Sequence, residues 1–321
     1  METASATSPV GSTDGSADMT DHARPTVAVV MLTLDQCAMT LRALESIGSS
    51  RLGNQEILLW DNGSTDGTTE TVRERFPRVH VHHSPENLGV AGGRNAAAAM
   101  AIELFQPDFL CFLDNDLVLT PGFLDALLDA LLADPGVGQV QAKLRFLDRP
   151  DVLNDGGGCH IIFWRGSTEP VGKGEVDRGQ YDRVRACVSC GGAMMVRAAL
   201  FRDLGGFDMT FNPFGPEDLD FSLRLQRLGH RALYVPSAMA YHAVTHTFEP
   251  GGYTARYARL KARHWLRFLR RHGSPLQQLA FSLLGMPLIL IRMVIREGRR
   301  GNFGAIIGSA RGALAGLRRQ R

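Results

Sequence analysis

Apolar and polar positions along this chain fall into short blocks rather than one long periodic stretch. From Thr26 the run TVAVVMLTL is continuously apolar and rich in β-branched residues, the pattern of a strand buried on both faces of a parallel sheet. Leu41, Leu44 and Ile47 then recur at helical spacing. EILLW gives a second strand ending at Asp61-Asn62-Gly63, VHVHH a third, and GGRNAAAAMAIEL an Ala-rich helix. FLCFL makes a fourth strand ending at Asp114-Asn115-Asp116, and Thr120-Pro121 read as N-cap and first turn of the helix FLDALLDALLA. Strand–helix alternation with short connections predicts an α/β protein with an open, mostly parallel sheet flanked by helices.

After about residue 135 the pattern changes. VGQVQAKLRF and CVSCGGAMMV read as longer strands on either side of a Gly-rich stretch. A helix is expected to open near Pro216, to carry Phe221, Leu225 and Leu228 on one face, and to stop at Gly229. ALYVP and AMAYH predict a final pair of strands, and no internal repeat is visible.

Composition narrows the class. With 321 residues, 44% hydrophobic and 21% charged, the chain is too apolar for a disordered protein and too irregular for a fibrous one. Residues 1–24, small and polar, read as a disordered leader without the apolar core of a secretory signal. Five scattered cysteines do not make a disulfide framework, so a reducing, cytoplasmic setting is expected. The net charge of +2 hides an asymmetry: residues 255–321 hold 15 Lys and Arg against one acid, Glu297, a net +14, while the rest carries −12.

Ligands of open parallel sheets bind outside the carboxyl ends of the strands. Thr33, Asp61 and the Asp114/Asp116 pair each follow an apolar strand and should converge there. Asp114 and Asp116, at i and i+2 of an extended chain end, lie on one side and can share a hard divalent cation with positions open for phosphate oxygens. The alternative is a solvated acidic turn. Asp61-Asn62-Gly63-Ser64-Thr65-Asp66 is either a tight turn, with Ser64 or Asp66 capping the next helix, or an acid facing a nucleotide. Asn87-Leu88-Gly89 through Arg94-Asn95 offers glycines before a helix N-terminus, without a phosphate-loop or dinucleotide fingerprint. Pro216-Glu217-Asp218 supplies first-turn acids that are either dipole complements or a general base. His242 ends the AMAYH strand, with His246 four residues on, and is either structural or a ligand. Cys187-x-x-Cys190 lacks a second pair and is read as core strand.

The order of these segments is more specific than any one of them. Thr33 in the first strand, DNGSTDGT, NLGVAGGRN, FLDND, CGGAMMVR, GGFD, PEDLDFSLRLQRLG and VPSAMAYH together resemble inverting family-2 glycosyltransferases of the GT-A fold, in the manner of bacterial rhamnosyltransferase-like members. The resemblance covers roughly residues 25–248, which it implies form the catalytic domain. It implies that Thr33, Asp61, Arg94 and Asp114 hold the nucleotide sugar. It implies that Asp114, Asp116 and His242 hold Mg²⁺ or Mn²⁺, that Asp218 is the catalytic base, and that Glu217 is its acceptor-side neighbour. The implied reaction moves a sugar from a dTDP- or UDP-sugar to a hydroxyl of a glycan, a lipid-linked glycan or a small molecule, in the making of cell-envelope polysaccharide. Leu32-Thr33-Leu34-Asp35 departs from the family, which usually shows an aromatic residue and then Asn after the Thr. Two other readings stand beside this one, a non-catalytic nucleotide-sugar scaffold and a nucleotidyltransferase; for the second, the Gly-rich basic signature near the first strand is missing.

Residues 249–321 lie outside the strong resemblance and read as a basic, partly apolar helical region. ARYARLKARHWLRFLRR places Tyr257, Leu260, Trp265 and Leu269 among seven Lys and Arg, which suits an amphipathic interfacial helix. Leu279–Ile291 has no charge, but its 13 residues fall short of the roughly 20 a spanning helix needs, and Pro287 and Arg292 are expected to interrupt or end it. Docking on an anionic leaflet at the inner face of the cell membrane is one expectation, and packing on the catalytic domain is the other. Nucleic acid is not an expected partner.

Overall fold

Alternation along β1 (Val27–Thr33) sets the architecture. Val27, Val29 and Met31 enter one core and Ala28 and Val30 another, and none is more than 2% exposed. A strand apolar on both faces needs cover on both. The computed structural model, which describes residues 25–50, 52–188, 191–244 and 253–317, shows where that cover comes from. The leader 1–24, Cys190, His246 and the expected boundary at 248 lie outside the described residues.

Strands β2 (Gln55–Asp61), β3 (His80–His83) and β4 (Phe109–Asp114) continue the parallel half of the sheet, linked by α1 (Cys37–Ser49), α2 (Thr68–Arg75) and α3 (Gly89–Phe105). Beyond them run β5 (Leu117–Leu119), α4 (Phe123–Leu132), β6 (Val137–Phe146), β7 (Leu153–Asp155), the hairpin β8 (Cys159–Ile162) and β9 (Ser167–Pro170), and β10 (Arg185–Ala186). Then come β11 (Ala193–Arg197), α5 (Ala198–Asp203), α6 (Glu217–Arg227) and β12 (Arg231–His242). The strand order β10-β12-β6-β11-β4-β1-β2-β3 mixes parallel and antiparallel pairs, with β5 beside β12 and β7 beside β6. Helices α1 and α4 cover one face through Leu44, Ile47, Phe123 and Leu127. On the other face α3, α5 and α6 bring Ala97, Phe201 and Phe221.

Register then aligns the strand ends. Thr33 pairs with Asp61 and Leu32 with Asp114, so the three carboxyl ends finish level. On β12, His242 lies opposite Leu117, next to Asp116 in the chain.

The C-terminal region is helical: α7 (Ala255–His272), α8 (Pro275–Ala280), a π-helical turn (Phe281–Gly285), α9 (Met286–Arg299) and α10 (Phe303–Leu317). Helix α10 lies on α7 with glycine as its contact surface, since a Cβ at Gly308 or Gly312 would overlap the carbonyls of Ala255 and Arg259. Helix α7 is anchored to the body. Phe268 packs with Phe211 and Leu219, and His264 Nδ1 donates to the Phe214 carbonyl at 2.7 Å. His264 is held neutral, its pKa pushed down to about 4 by burial and by Arg263 and Arg267.

Five local expectations need correction. ALYVP and AMAYH are one strand, β12, with a bulge between Val235 and Met239 where Pro236 has no N–H to give the ladder. Among the described residues of CVSCGGAMMV the strand starts at Ala193, because Gly191 and Gly192 just before it take positive φ. Thr120 is no N-cap: Gly122 begins α4, and the Thr120 hydroxyl donates to Met239 on β12. Leu228 is 59% exposed, unlike Phe221 and Leu225. The apolar tail run is not broken at Pro287. Helix continues for 25 residues, Pro275–Arg299, because the wider π turn gives room at Leu283, the carbonyl a proline ring crowds. By length and composition alone that helix is long and apolar enough to cross a membrane.

Candidate active site

The level strand ends open into a cavity of about 580 Å³ lined by Thr33, Arg94, Asp114, Asn115, Asp116 and His242, with Asn62, Tyr257 and others around it. Asn115, between the two acids, donates to Thr33 Oγ1, Gln36 Oε1 and Thr40 Oγ1 at 3.1 Å each. It ties the β1 loop to the Asp114/Asp116 turn and leaves both carboxylates to face the crevice.

Asp114, Asp116 and His242 each offer a ligand atom within 4.8 Å of the others. His242 Nε2 lies 3.1 Å from Asp116 Oδ1, while its Nδ1 donates to Asn154 Oδ1 at 2.9 Å. That bond orients the ring so that Nε2 faces Asp116 and the crevice, as metal-binding histidines require. Burial works against charge on His242, but Asp116 and Asp114 together outweigh it and raise the pKa. Two carboxylates and one imidazole suit Mg²⁺ or Mn²⁺, so the residues fit such an ion.

Arg94, from the first turns of α3, joins this group to a second. Its guanidinium donates to Asp114 Oδ1 at 2.6 Å and lies 3.7 Å from Glu217 Oε1, with only 8% of the residue exposed. Burial opposes its charge, yet Asp114, Glu217 and Asp218 together raise its pKa.

Glu217 and Asp218 open α6, where the helix dipole favours acids. They line a smaller pocket of about 310 Å³ that shares Phe214 and Tyr257, two stacked rings, with the larger cavity. Burial raises the pKa of both. The Asp218 charge pushes Glu217 further up and the Asp114 charge does the same to Asp218, while the Arg94 charge pulls both back. Between the two acidic groups run Gly191 and Gly192. Asp114 N donates to the Gly192 carbonyl at 2.8 Å, and a Cβ on Gly191 would sit 2.6 Å from Asp218 Oδ2.

Asp61 is the one predicted site residue that lines neither the larger cavity nor the smaller pocket. It is fully buried: Ser64 N donates to Oδ1 at 2.8 Å, Thr69 Oγ1 donates to Oδ2, and His83 Nδ1 lies 3.2 Å from Oδ2. These donors outweigh burial and hold its carboxyl below the ordinary range. Ser64 does not cap α2, whose N-cap position is Gly67, but Asp66 Oδ1 accepts from Thr68 N, the first residue of that helix, at 3.1 Å. Ser64 accepts from Asp35 N and Asp66 from Cys37 N, which ties the departing Asp35 segment to the β2 loop. Sequence reasoning missed Asn62, Asn154 and Asn212. Asn62 bonds Asn87 and Leu88, and Asn212 bonds Leu88 and Gly92, so the NLGVAGG segment is held chiefly by amides. Single asparagines at such separations leave no periodic signal.

Known proteins resemble this chain in sequence and in fold. The family model of glycosyltransferase-like family 2 matches residues 24–265. N-acetylglucosaminyl-diphospho-decaprenol L-rhamnosyltransferase of Mycobacterium tuberculosis is 29% identical over 301 residues, 85% of this chain and 95% of its own. Pre-mycofactocin glycosyltransferase of the same organism is 30% identical over 164 residues, 51% of this chain and 32% of its own. Among solved structures, GalNAc-T7 with UDP, GalNAc and Mn²⁺ superposes with a TM-score of 0.62 at 15% identity, covering 78% of this chain and 48% of that one. The mannosyltransferase PcManGT from Pyrobaculum calidifontis, with GDP-Man and Mn²⁺, gives 0.53 at 19% identity over 92% and 88%. These likenesses show the GT-A fold, and the family match shows what kind of enzyme carries it here: the chain belongs to glycosyltransferase-like family 2.

Proposed function

We propose that this enzyme transfers a sugar, with inversion, from a nucleoside diphosphate sugar to an acceptor hydroxyl by a single displacement. The observation that carries the reading is the shared guanidinium of Arg94, which links a divalent-ion site to a carboxylate pair across two glycines. Asp218 takes the proton of the acceptor hydroxyl. The acceptor oxygen then bonds the anomeric carbon as the bond to the diphosphate breaks. Glu217, 3.7 Å from Arg94, stands beside the base on the acceptor side. Thr33, Arg94 and Asp114 hold the donor from the crevice wall, and Asp61 acts from behind that wall by fixing the Ser64–Thr69 turn. Mg²⁺ or Mn²⁺ at Asp114, Asp116 and His242 would supply positive charge to the leaving diphosphate.

For the donor we favour dTDP-rhamnose or a UDP-hexose, and for the acceptor a lipid-linked glycan at the cytoplasmic face of the membrane. The name of the M. tuberculosis relative supports a rhamnosyl donor and a lipid-linked acceptor. Docking of residues 255–321 on anionic lipid is supported by exposed apolar side chains on α9, beside a net charge of +14.

The test is nucleoside diphosphate release from UDP-, dTDP- and GDP-sugars with Mn²⁺, Mg²⁺ or EDTA. Release from one donor, stopped by EDTA and lost in Asp218→Asn and Asp116→Ala, is expected. Undiminished release by either variant contradicts the assigned roles.

A further inference from the structure

The pocket that holds Asp218 continues past the carboxylates. Lys261 and Trp265 of α7 stand in its wall, and the same two side chains form the near end of a larger groove, about 860 Å³, between α7, α9 and α10. Tyr257, Lys261 and Trp265 lie at i, i+4 and i+8, one face of the helix. Helix α7 thus runs as a rail from the donor crevice at Tyr257, past the base, into the groove.

The groove has an apolar floor that includes Leu266, Leu269, Phe281 and Met293. Its lining also holds Arg165, Lys261, Arg292 and Arg296, and no carboxylate. Arg165 is paired with Glu169 and Arg296 with Glu297. Lys261 and Arg292 have no acidic partner among the described residues. Burial, and then the charge of Arg296, lowers the pKa of Lys261, so an anion placed beside it would relieve both costs. Beyond the groove α9 turns Ile291, Val294 and Ile295 outward, each at least 49% exposed.

We infer that this groove seats a prenyl diphosphate, the lipid end of the acceptor. Its diphosphate meets Lys261 and Arg292, its chain leaves along α9, and the sugar it carries reaches the Asp218 pocket. The inference rests on the glycosyl-transfer reading and deepens its acceptor side. A soluble glycan has no use for the apolar floor, and an apolar peptide has none for unpaired cations. An amphiphile with its charge between sugar and chain matches the order pocket, cations, apolar helix.

The experiment is titration of the full chain in EDTA, which removes the metal-dependent donor site from competition. Farnesyl diphosphate, farnesol and inorganic diphosphate are the three probes, and the fluorescence of Trp164 and Trp265, both in the groove lining, is the readout. Farnesyl diphosphate should bind at least tenfold more tightly than either fragment. Arg292→Glu, on an exposed helix face, should weaken it at least tenfold, and Arg292→Lys by no more than threefold. Equal binding of inorganic diphosphate, or an unchanged affinity in Arg292→Glu, overturns the inference. Nucleotide binding with Mn²⁺ by the same preparations reads the donor site separately. If it persists without prenyl preference, the groove assignment alone fails; if it is absent, the reading beneath fails too.

Discussion

Gly191 lies directly against the Asp218 carboxylate, so close that a Cβ there would stand 2.6 Å from Oδ2, and its φ of +77° is one that side chains avoid. The glycine sets where the base can sit. Gly191→Ala should lower kcat on the order of 100-fold, because a displacement of about 1 Å at the reacting centre costs that much. Donor affinity should change little, because the metal group stands across Gly192. A kcat within threefold of wild type would show that Asp218 does not depend on this contact.

Arg94 lowers the pKa of Asp218 against the opposing effect of burial. A base works ionised, so transfer should rise with pH through the raised pKa of Asp218. Arg94→Met removes the lowering charge, and the acid limb of the kcat profile should move to higher pH. A limb that stays in place or moves down would separate Arg94 from the base.

How much of this was legible in the sequence follows from the physics of each part. Strands β1, β2 and β4 are buried on both faces, so they appear as unbroken apolar runs. Asp114 and Asp116 follow one of them and could be placed at the crevice by position. His242 was placed by the same rule, as a strand end. Asp61 obeyed the rule too, yet its carboxylate turned inward, because Ser64, Thr69 and His83 surround it with donors that no local pattern announces. The grip of α7 on α6 was invisible for another reason. Arg271 and His272 reach Asp220 across about 50 residues, and ion pairs at such separation leave no periodicity.

That grip is itself testable. Asp220, fully buried, accepts from Arg224 at 2.7 Å, Arg271 at 2.9 Å and His272 at 2.8 Å. Burial opposes its charge, but these partners bring its pKa down to about 2. A carboxyl lowered in the folded state adds stability above its unfolded pKa and loses it as pH falls toward the folded value. The contribution at pH 7 is about 2 kcal/mol. Denaturant unfolding should therefore show Asp220→Asn less stable at pH 7, with the gap closing between about pH 4 and pH 2. A gap independent of pH would mean that packing, not charge, holds the helices.

Helix α10 depends on the absence of side chains at Gly308 and Gly312. Gly312→Leu should part it from α7 and raise amide hydrogen exchange in residues 303–317, while β1 and β4 stay protected. Unchanged exchange in α10 would show that the interface can absorb the added volume.

The central claim is a single displacement driven by Asp218, and the anomeric configuration of the first product reports on it directly. Proton NMR of sugar released from an α-linked donor, read before mutarotation, should show the β anomer, and Asp218→Asn should release none. Release of the α anomer, or β anomer formed equally fast by the variant, would contradict the account.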